Sequence, residues 1–419
     1  MRDQRVVVLD DDPTGSQAAT GVRVLPRPDL DVAERWLRGD EHALYVVTNT
    51  RSLSADRAVA LLRDFHGGLS SLSRQLDRPV TFVLRGDSTL RGHVIAELDC
   101  LGGRAAVSLL VPAFPEGGRV TVAGTHYLIG DGSRIPVSET EFARDPVFAY
   151  STAYLPDWLG ALAPGRPVRL ASLADVREGG LAGMLRGAAP GTIVVPDAET
   201  VDDIRLIVDG LRAAWADGVR VVLRSAATAA ALSAGVYSDG FLPRPVPPPR
   251  RTLVVCGSHT GASTRQLARL QAATGVAPVV LPAWPASGED SDERLAARLA
   301  SALDRDNLAI LATERYRPAA LGSLADGAAV MRRLTAVAAR LAPQVAACVV
   351  KGGISSAEVA AVSFGAAEGV VTGQLEPGVS LWRLAGASSE LDYVVVPGNM
   401  GDDDTLLRSV AAVTALPGS

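Results

Sequence analysis

The chain has 419 residues, enough for about two or three domains that each bury a core. Its residues are 47% hydrophobic, 21% charged and 5% aromatic, and 46 acidic against 41 basic side chains leave a net charge of −5. That balance argues against binding nucleic acid or a membrane surface through bulk charge, and three cysteines (Cys100, Cys256, Cys348) without CxxC spacing argue against a disulfide framework or structural zinc, so a reducing cytoplasm is expected.

The amino terminus passes directly into Val6-Val7-Val8-Leu9, an apolar run too short for a signal sequence or a membrane span. β-Branched runs predict strands over residues 5–10, 44–48, 80–84, 105–111, 192–196 and 219–223, with helices over 54–66 and 201–216. Five prolines between Leu242 and Arg251 favour an extended, exposed connection, because proline lacks the donor that a helix or ladder needs. The expected domains are therefore residues 1–243 and 252–419, joined by a linker over 244–251. Beyond it, strands over 252–256, 347–351 and 393–396 precede helices over 262–273, 355–364 and 402–413. No period of roughly 20–50 residues repeats, which argues against a solenoid. Strands separated by helix-length segments predict an α/β protein of two doubly wound domains with largely parallel sheets, in which ligands collect beyond the carboxyl ends of the strands.

Polar clusters directly after strands are thus the candidate sites. Asp10-Asp11-Asp12-Pro13-Thr14-Gly15 comes first. One Asp and one Gly would serve a capped turn; three adjacent carboxylates repel one another and suit orienting hydroxyls, binding a metal or taking a proton. In Thr48-Asn49-Thr50-Arg51-Ser52, a hydroxyl could be no more than a helix cap, but Arg51 beside a helix start suits a carboxylate or phosphate. Arg85-Gly86-Asp87-Ser88-Thr89-Leu90-Arg91-Gly92-His93 gathers two arginines, an aspartate and two hydroxyls around glycines that permit close backbone approach. His93 alone reads more simply as a packed or solvent-facing residue than as a catalyst. Residues 112–119 form a Pro/Gly loop ending on Arg119, either a further anion ligand or a solvated side chain.

The second half carries little charge and three glycine-bearing strand–helix junctions: Cys256-Gly257-Ser258-His259-Thr260-Gly261, Lys351-Gly352-Gly353-Ile354-Ser355-Ser356 and Val396-Pro397-Gly398-Asn399-Met400-Gly401. Each lets backbone N–H groups face a phosphate, and three in one domain point to a nucleotide. None is a P-loop, and no GxGxxG is present. An arginine-rich domain for a small hydroxylated acid and a glycine-rich one for ATP suit transfer across the cleft between them.

These motifs resemble the four-carbon acid sugar kinase family, which covers D-threonate, D-erythronate and 3-oxo-tetronate kinases. The resemblance spans essentially the whole chain. Asp11-Asp12-Pro13-Thr14-Gly15 is similar to the family's DDxTG, Thr50-Arg51-Ser52 to its TRS, and Asp87-Ser88-Thr89-Leu90-Arg91-Gly92 to its DSTLRG. Residues 112–119 and 139–146 resemble the next two segments, and Gly257-Ser258, 351–356, Gly373-Gln374 with Pro377-Gly378, and 397–401 resemble the nucleotide-domain signatures.

The resemblance implies ATP-dependent phosphorylation of a terminal hydroxyl, Mg2+ bridging the phosphates, and an active site in the interdomain cleft. Carried over position by position, Ser258, Gly352, Gly353, Ile354, Ser355 and Gly398 are the ATP-contact candidates. Two departures stand out. Ile354-Ser355 replaces the acidic residue and Thr of GG[DE]T, and Val396-Pro397 stands where other members carry a Lys, a charge that Lys351 would supply. On this reading Arg51, Arg85 and Arg91 hold the substrate carboxylate and hydroxyls, with Asp11, Thr14, Ser52, Asp87, Ser88 and Arg119 completing the substrate set. Asp12, with Asp11 as alternate, orients the acceptor hydroxyl and takes its proton, while Lys351 and backbone amides stabilise charge on the transferred group. The metal ligands stay open, and Asp402, Asp403 and Asp404 either hold Mg2+ or favour a helix start through its dipole. The expected partners are a small-molecule sugar acid and ATP, with no nucleic acid and no membrane; a homodimer stays open.

Two rival readings use the same residues. Asp10-x-Asp12-x-Thr14 also reads as the nucleophile motif of a haloacid-dehalogenase-type phosphatase, with Gly401-Asp402-Asp403-Asp404 as its late acidic motif, although this leaves DSTLRG and KGGISS unexplained. A non-catalytic acid-sugar sensor is the other.

Overall fold

The computed structural model describes residues 5–130, 132–243, 247–282, 291–315, 324–385 and 390–416. It divides into two compact units, Met1–Ala19 with Pro28–Tyr237, and Thr20–Arg27 with Ser238–Ser419.

The strands up to residue 237 are β1 (Arg5–Asp10), β2 (Val22–Leu25), β3 (Ala43–Val47), β4 (Val80–Arg85), β5 (Val107–Val111), β6 (Arg119–Val122), β7 (Thr125–Gly130), β8 (Ser133–Pro136), β9 (Val168–Ala171), β10 (Ile193–Pro196) and β11 (Val221–Ser225). In the first unit they form a sheet ordered β3-β1-β4-β11-β5-β10-β9, parallel throughout. β1, β3 and β5 are buried at every position, which is why they read as unbroken apolar runs rather than alternating ones. The helix expected over 54–66 runs instead from Ala55 to Gln75. Gly67-Gly68 does not break it: Leu62, Phe65 and Leu69 keep the helical spacing, and a Cβ at Gly68 would lie 2.7 Å from Leu30, so the glycine is a helix contact. The helix Val201–Ala216 forms as expected behind a capping box of Thr200 and Asp203. The antiparallel sheet β6-β7-β8 has no counterpart in the sequence reading.

The second unit holds β12 (Thr252–Cys256), β13 (Val279–Leu281), β14 (Leu308–Thr313), β15 (Ala347–Lys351), β16 (Gly369–Glu376), β17 (Val379–Ala385) and β18 (Glu390–Val396), in the order β13-β14-β12-β15-β18-β17-β16-β2. From β13 to β18 neighbours are parallel; β17, β16 and β2 continue antiparallel. β2 therefore belongs to the sheet of the second unit although it lies near the amino terminus. Gly21 N–H donates to the Val371 carbonyl at 2.8 Å, and Arg23 pairs with Glu368 at 2.5 Å. Residues 244–246 of the expected linker lie outside the described residues. Flanking them, Leu242 N–H donates to the Gln374 carbonyl at 2.7 Å and Arg250 pairs with Asp392 at 2.5 Å. The helix expected over 355–364 is Gly353–Glu358 continued by a π-helical turn, Val359–Ser363. Among the described residues no helix is long and apolar enough to cross a membrane.

Candidate active site

At the carboxyl end of the first sheet, β1 delivers Asp10, Asp11 and Asp12, β4 delivers Arg85, and β11 delivers Arg224. All five are buried. Charges survive burial when paired, and here carboxylates and guanidinium groups alternate. Arg85 Nη1 lies 3.0 Å from Asp10 Oδ1, 3.6 Å from Asp11 and 3.9 Å from Asp12. Arg51 pairs with Asp12 Oδ2 and lies 3.1 Å from Asp87 Oδ1. Arg91 Nε donates to Asp87 Oδ2 at 2.8 Å; its guanidinium lies 3.5 Å from Asp145 and sits 5.2 Å from the Phe142 ring centroid. Segment 139–146 thus serves to seat Arg91.

The cluster shifts its own ionisation. Burial, against the opposing pull of Arg85, pushes Asp10 up to about 7. For Asp87, Arg91 and Arg51 outweigh burial and hold the carboxyl well below the usual range. Arg119 is pushed down to about 10 by burial; it donates to the Gly117 carbonyl, and no carboxylate lies within ion-pair distance of it among the described residues. Glycines let the groups approach: a Cβ at Gly86 would strike the Arg224 guanidinium, and one at Gly15 the Asp10 carboxylate.

The expected substrate residues thus meet in one place, but in unequal states. Both Asp12 oxygens are engaged, one by Thr14 N–H at 2.7 Å and the other by Arg51. Asp11 is buried, yet neither of its oxygens accepts a hydrogen bond. Ser52 Oγ donates to the Asn49 carbonyl at 2.8 Å and so fastens the turn. Ser88 contributes its carbonyl, which accepts from His126 Nε2 at 2.8 Å. His93 contacts the Leu53 carbonyl at 2.8 Å and stacks edge-on against Phe148, so of its two expected roles, packed or solvent-facing, it takes the packed one.

Arg224, Glu97, His126 and Tyr150 escaped the sequence reading. Arg224 directly follows the strand expected over 219–223 but has only Ser225 beside it rather than a polar cluster, and Glu97 sits within a helix with no flanking motif. His126 and Tyr150 clamp the DSTLRG loop from the segment after β6, His126 at the Ser88 carbonyl and Tyr150 Oη at the Thr89 carbonyl (2.8 Å). His126 is held down at about 4 by burial, so it is neutral, with Nε2–H donating to Ser88 and Nδ1 accepting from Thr121.

In the second unit the three glycine junctions converge at the ends of the adjacent strands β12, β15 and β18. A Cβ at Gly352 would lie 3.2 Å from Ser258, one at Gly398 2.6 Å from Ser258 Oγ, and one at Gly257 would strike Ser355 Oγ. Ile354 is half-buried beside them. Gly352 has φ +120°, a conformation that side chains resist. The Gly398 carbonyl is turned inward by Thr260 and Ser263 (3.1 Å). Lys351 is fully buried, pushed down to about 8 by desolvation, and its ammonium donates to the carbonyls of Pro397 and Met400. With those carbonyls held inward, the turn has its amides left to face an anion. Asp402, Asp403 and Asp404 pair with Arg408 (2.9 Å), Arg265 (2.8 Å) and Arg269 (2.6 Å), and Asp402 also accepts from the Thr405 hydroxyl at 3.2 Å. Among the described residues no group of three or more His, Cys, Asp or Glu side chains is arranged to hold a metal ion.

The sequence matches the family models described as sugar-binding N-terminal domain over residues 6–232 and nucleotide-binding C-terminal domain over 253–406. It is 32% identical over 387 residues to the D-threonate kinase of Bordetella bronchiseptica, covering 88% of this chain and 86% of that one. The chain belongs to the four-carbon acid sugar kinase family. It is also 28% identical over 413 residues to the 3-oxo-tetronate kinase of Methylobacterium radiotolerans, covering 93% of each chain. A Salmonella typhimurium protein described as a putative tRNA synthase superposes with a TM-score of 0.69 at 20% identity, covering 97% of this chain and 98% of that one, which speaks to the fold alone. The phosphatase and sensor readings find no support in these relatives.

Proposed function

We propose that this sugar-acid kinase transfers the γ-phosphoryl group of ATP to a terminal hydroxyl of a four-carbon sugar acid of the threonate, erythronate or 3-oxo-tetronate class. The observation that carries the reading is the division of labour in the buried cluster. One guanidinium, Arg119, is buried without an ion pair to any described carboxylate, and one carboxylate, Asp11, has both oxygens without a hydrogen-bond donor. A sugar acid supplies the two missing groups: an anion and a hydroxyl.

Arg119 then anchors the substrate carboxylate, and Arg51, Arg85 and Arg91, restrained by Asp12, Asp10 and Asp87, shape a rigid wall for its hydroxyls. Asp11 accepts the proton of the acceptor hydroxyl. That O–H bond breaks as the oxygen bonds to the γ-phosphorus, and the bond from phosphorus to the β,γ-bridging oxygen breaks, releasing ADP. The proton leaves late in a loose transition state, so the carboxylate receives it as the new oxygen–phosphorus bond forms. Asp12, expected as the base, is better suited to holding Arg51. Ser258, Gly352, Gly353, Ile354, Ser355 and Gly398 would surround the nucleotide, with Lys351 bracing the turn 397–401. Mg2+ would neutralise charge on the phosphates of ATP; Asp402, Asp403 and Asp404 are paired with Arg408, Arg265 and Arg269, and no step proposed for these residues runs through the metal. The cytoplasm remains the proposed compartment.

The test is ADP formation over a panel of tetronate, tetrulosonate and pentonate stereoisomers. Turnover that depends on a four-carbon acid supports the reading. No turnover across the panel, or phosphate release from a sugar phosphate without ATP, overturns it.

A further inference from the structure

Behind Asp11 lies a buried chain of polar groups that the proposed reaction does not touch. Arg224 Nη2 is 3.8 Å from Asp11 Oδ2, on the strand β11, while Arg85 reaches Asp11 Oδ1 from β4 at 3.6 Å. Arg224 is held in turn by Glu97 Oε2 at 2.9 Å, and Glu97 Oε1 accepts from Thr50 Oγ1 at 2.6 Å. Thr50 adjoins Arg51, the partner of Asp12. Glu97, Arg224 and Thr50 are all buried. Gly86 and Gly92 lie against Arg224: a Cβ at Gly86 would strike the guanidinium, and one at Gly92 would lie 3.1 Å from it and 3.2 Å from Asp11 Oδ2.

A buried ion pair is weak evidence for stability, since hydrophobic replacements of the same volume often serve as well. Its presence beside Asp11 calls for another account, and the position supplies one. Asp11 has no hydrogen bond to fix it, so its direction depends on the two guanidinium groups that flank it. Arg224 can flank it only while Glu97 holds the guanidinium in place.

We propose that Glu97 and Arg224 are positioning residues that act through Asp11, and that Glu97, through Thr50, ties the turn bearing Arg51 to the same frame. This rests on the kinase reading of the site. Removing either charge leaves the substrate-contacting groups present but misdirected. Loss therefore falls on kcat more than on either KM, and the two residues behave as one unit.

The experiment compares Glu97→Gln, Arg224→Met and the double variant in the full-length enzyme, with kcat and both KM values measured on the sugar acid that the wild type turns over. Glu97→Gln keeps the shape and the Thr50 bond but removes the charge. Each single variant is expected to lower kcat about 100-fold, as small misplacements in an active site do, with KM for ATP within about twofold of wild type. The double variant is expected to lose little more than either single one, because the residues share one function. Where a single variant does not fold, the double variant, which leaves no buried charge alone, decides the matter. Wild-type kcat in the folded double variant overturns the positioning role while the kinase reading stands; so does a loss that multiplies across the two residues. A wild type without turnover on any sugar acid overturns the kinase reading, and the positioning role falls with it.

Discussion

Asp11 and His126 show how single residues in the first unit divide between chemistry and support. Asp11 follows the strand as one of three aspartates, but it alone has two oxygens without hydrogen bonds. Asp11→Asn is expected to lower kcat by about 10²–10⁴-fold, the usual contribution of a general base, with KM for ATP unchanged. Asp12→Asn frees Arg51 and is expected to act chiefly on KM for the sugar acid. Steady-state kinetics check both, and a collapse confined to Asp12→Asn would exchange the two roles. His126 is buried and neutral, with its pKa held at about 4 against an ordinary 6.5. The native state therefore binds fewer protons than the unfolded chain between those values, so its contribution is whole above pH 6.5 and is lost as the pH falls toward 4. Asp10, raised to about 7 by burial, works in the opposite sense, its contribution fading as the pH rises toward 7. Their opposition makes the difference between proteins the informative quantity. His126→Gln, which keeps a donor for the Ser88 carbonyl, is expected to lose less melting temperature than wild type between pH 6.5 and 4.5. Parallel thermal melts across that range would refute the assignment.

At the scale of elements, what the sequence could reveal followed from locality. β1, β12 and β15 and the turns after them were legible because an apolar run ending in a polar or glycine-rich turn is a contiguous signal. Residues 20–27, the hairpin β6–β7 and the antiparallel pair β16–β17 were not, because their partners are set by tertiary pairing rather than by local period. The site divided the same way. Asp11, Arg51, Arg85 and Arg91 lie in motifs, whereas Arg224 and Glu97 become partners only when β11 and the helix Val94–Leu101 meet. Lys351 is legible as a lysine that ends a strand ahead of two glycines, but its burial and the carbonyls that accept from its ammonium are not. That junction yields an element-level expectation. Gly352→Ala places a Cβ 3.2 Å from Ser258 in a backbone with φ +120°, so the junction must open. KM for ATP is expected to rise about tenfold or more while KM for the sugar acid holds, as kinetics varied in each substrate would reveal. Equal effects on both would argue that the junction is not a nucleotide element.

For the whole molecule, the path of the chain between units matters more than its proline-rich seam. The seam suggests two consecutive halves, yet Thr20–Arg27 belongs with Ser238–Ser419. β2 covers the edge of β16, where an unpaired strand would otherwise offer its backbone to other chains. Gly21, which has φ +62°, turns the chain into this strand, and Arg27 donates to the Ala361 carbonyl at 2.8 Å at its far end. A lesion near the amino terminus should therefore be felt in the nucleotide unit. Val24 is fully buried and paired with Gly369, and Val24→Asp puts a carboxylate there at a cost of roughly 2–4 kcal/mol. Amide hydrogen exchange is expected to show protection lost first across β16 and β17, with β1, β4 and β11 keeping theirs. KM for ATP should rise before KM for the sugar acid. Protection lost first in β1 and β3, which lie closer in sequence, would mean that position 24 is integral to the first unit and that β2 contributes little to the second.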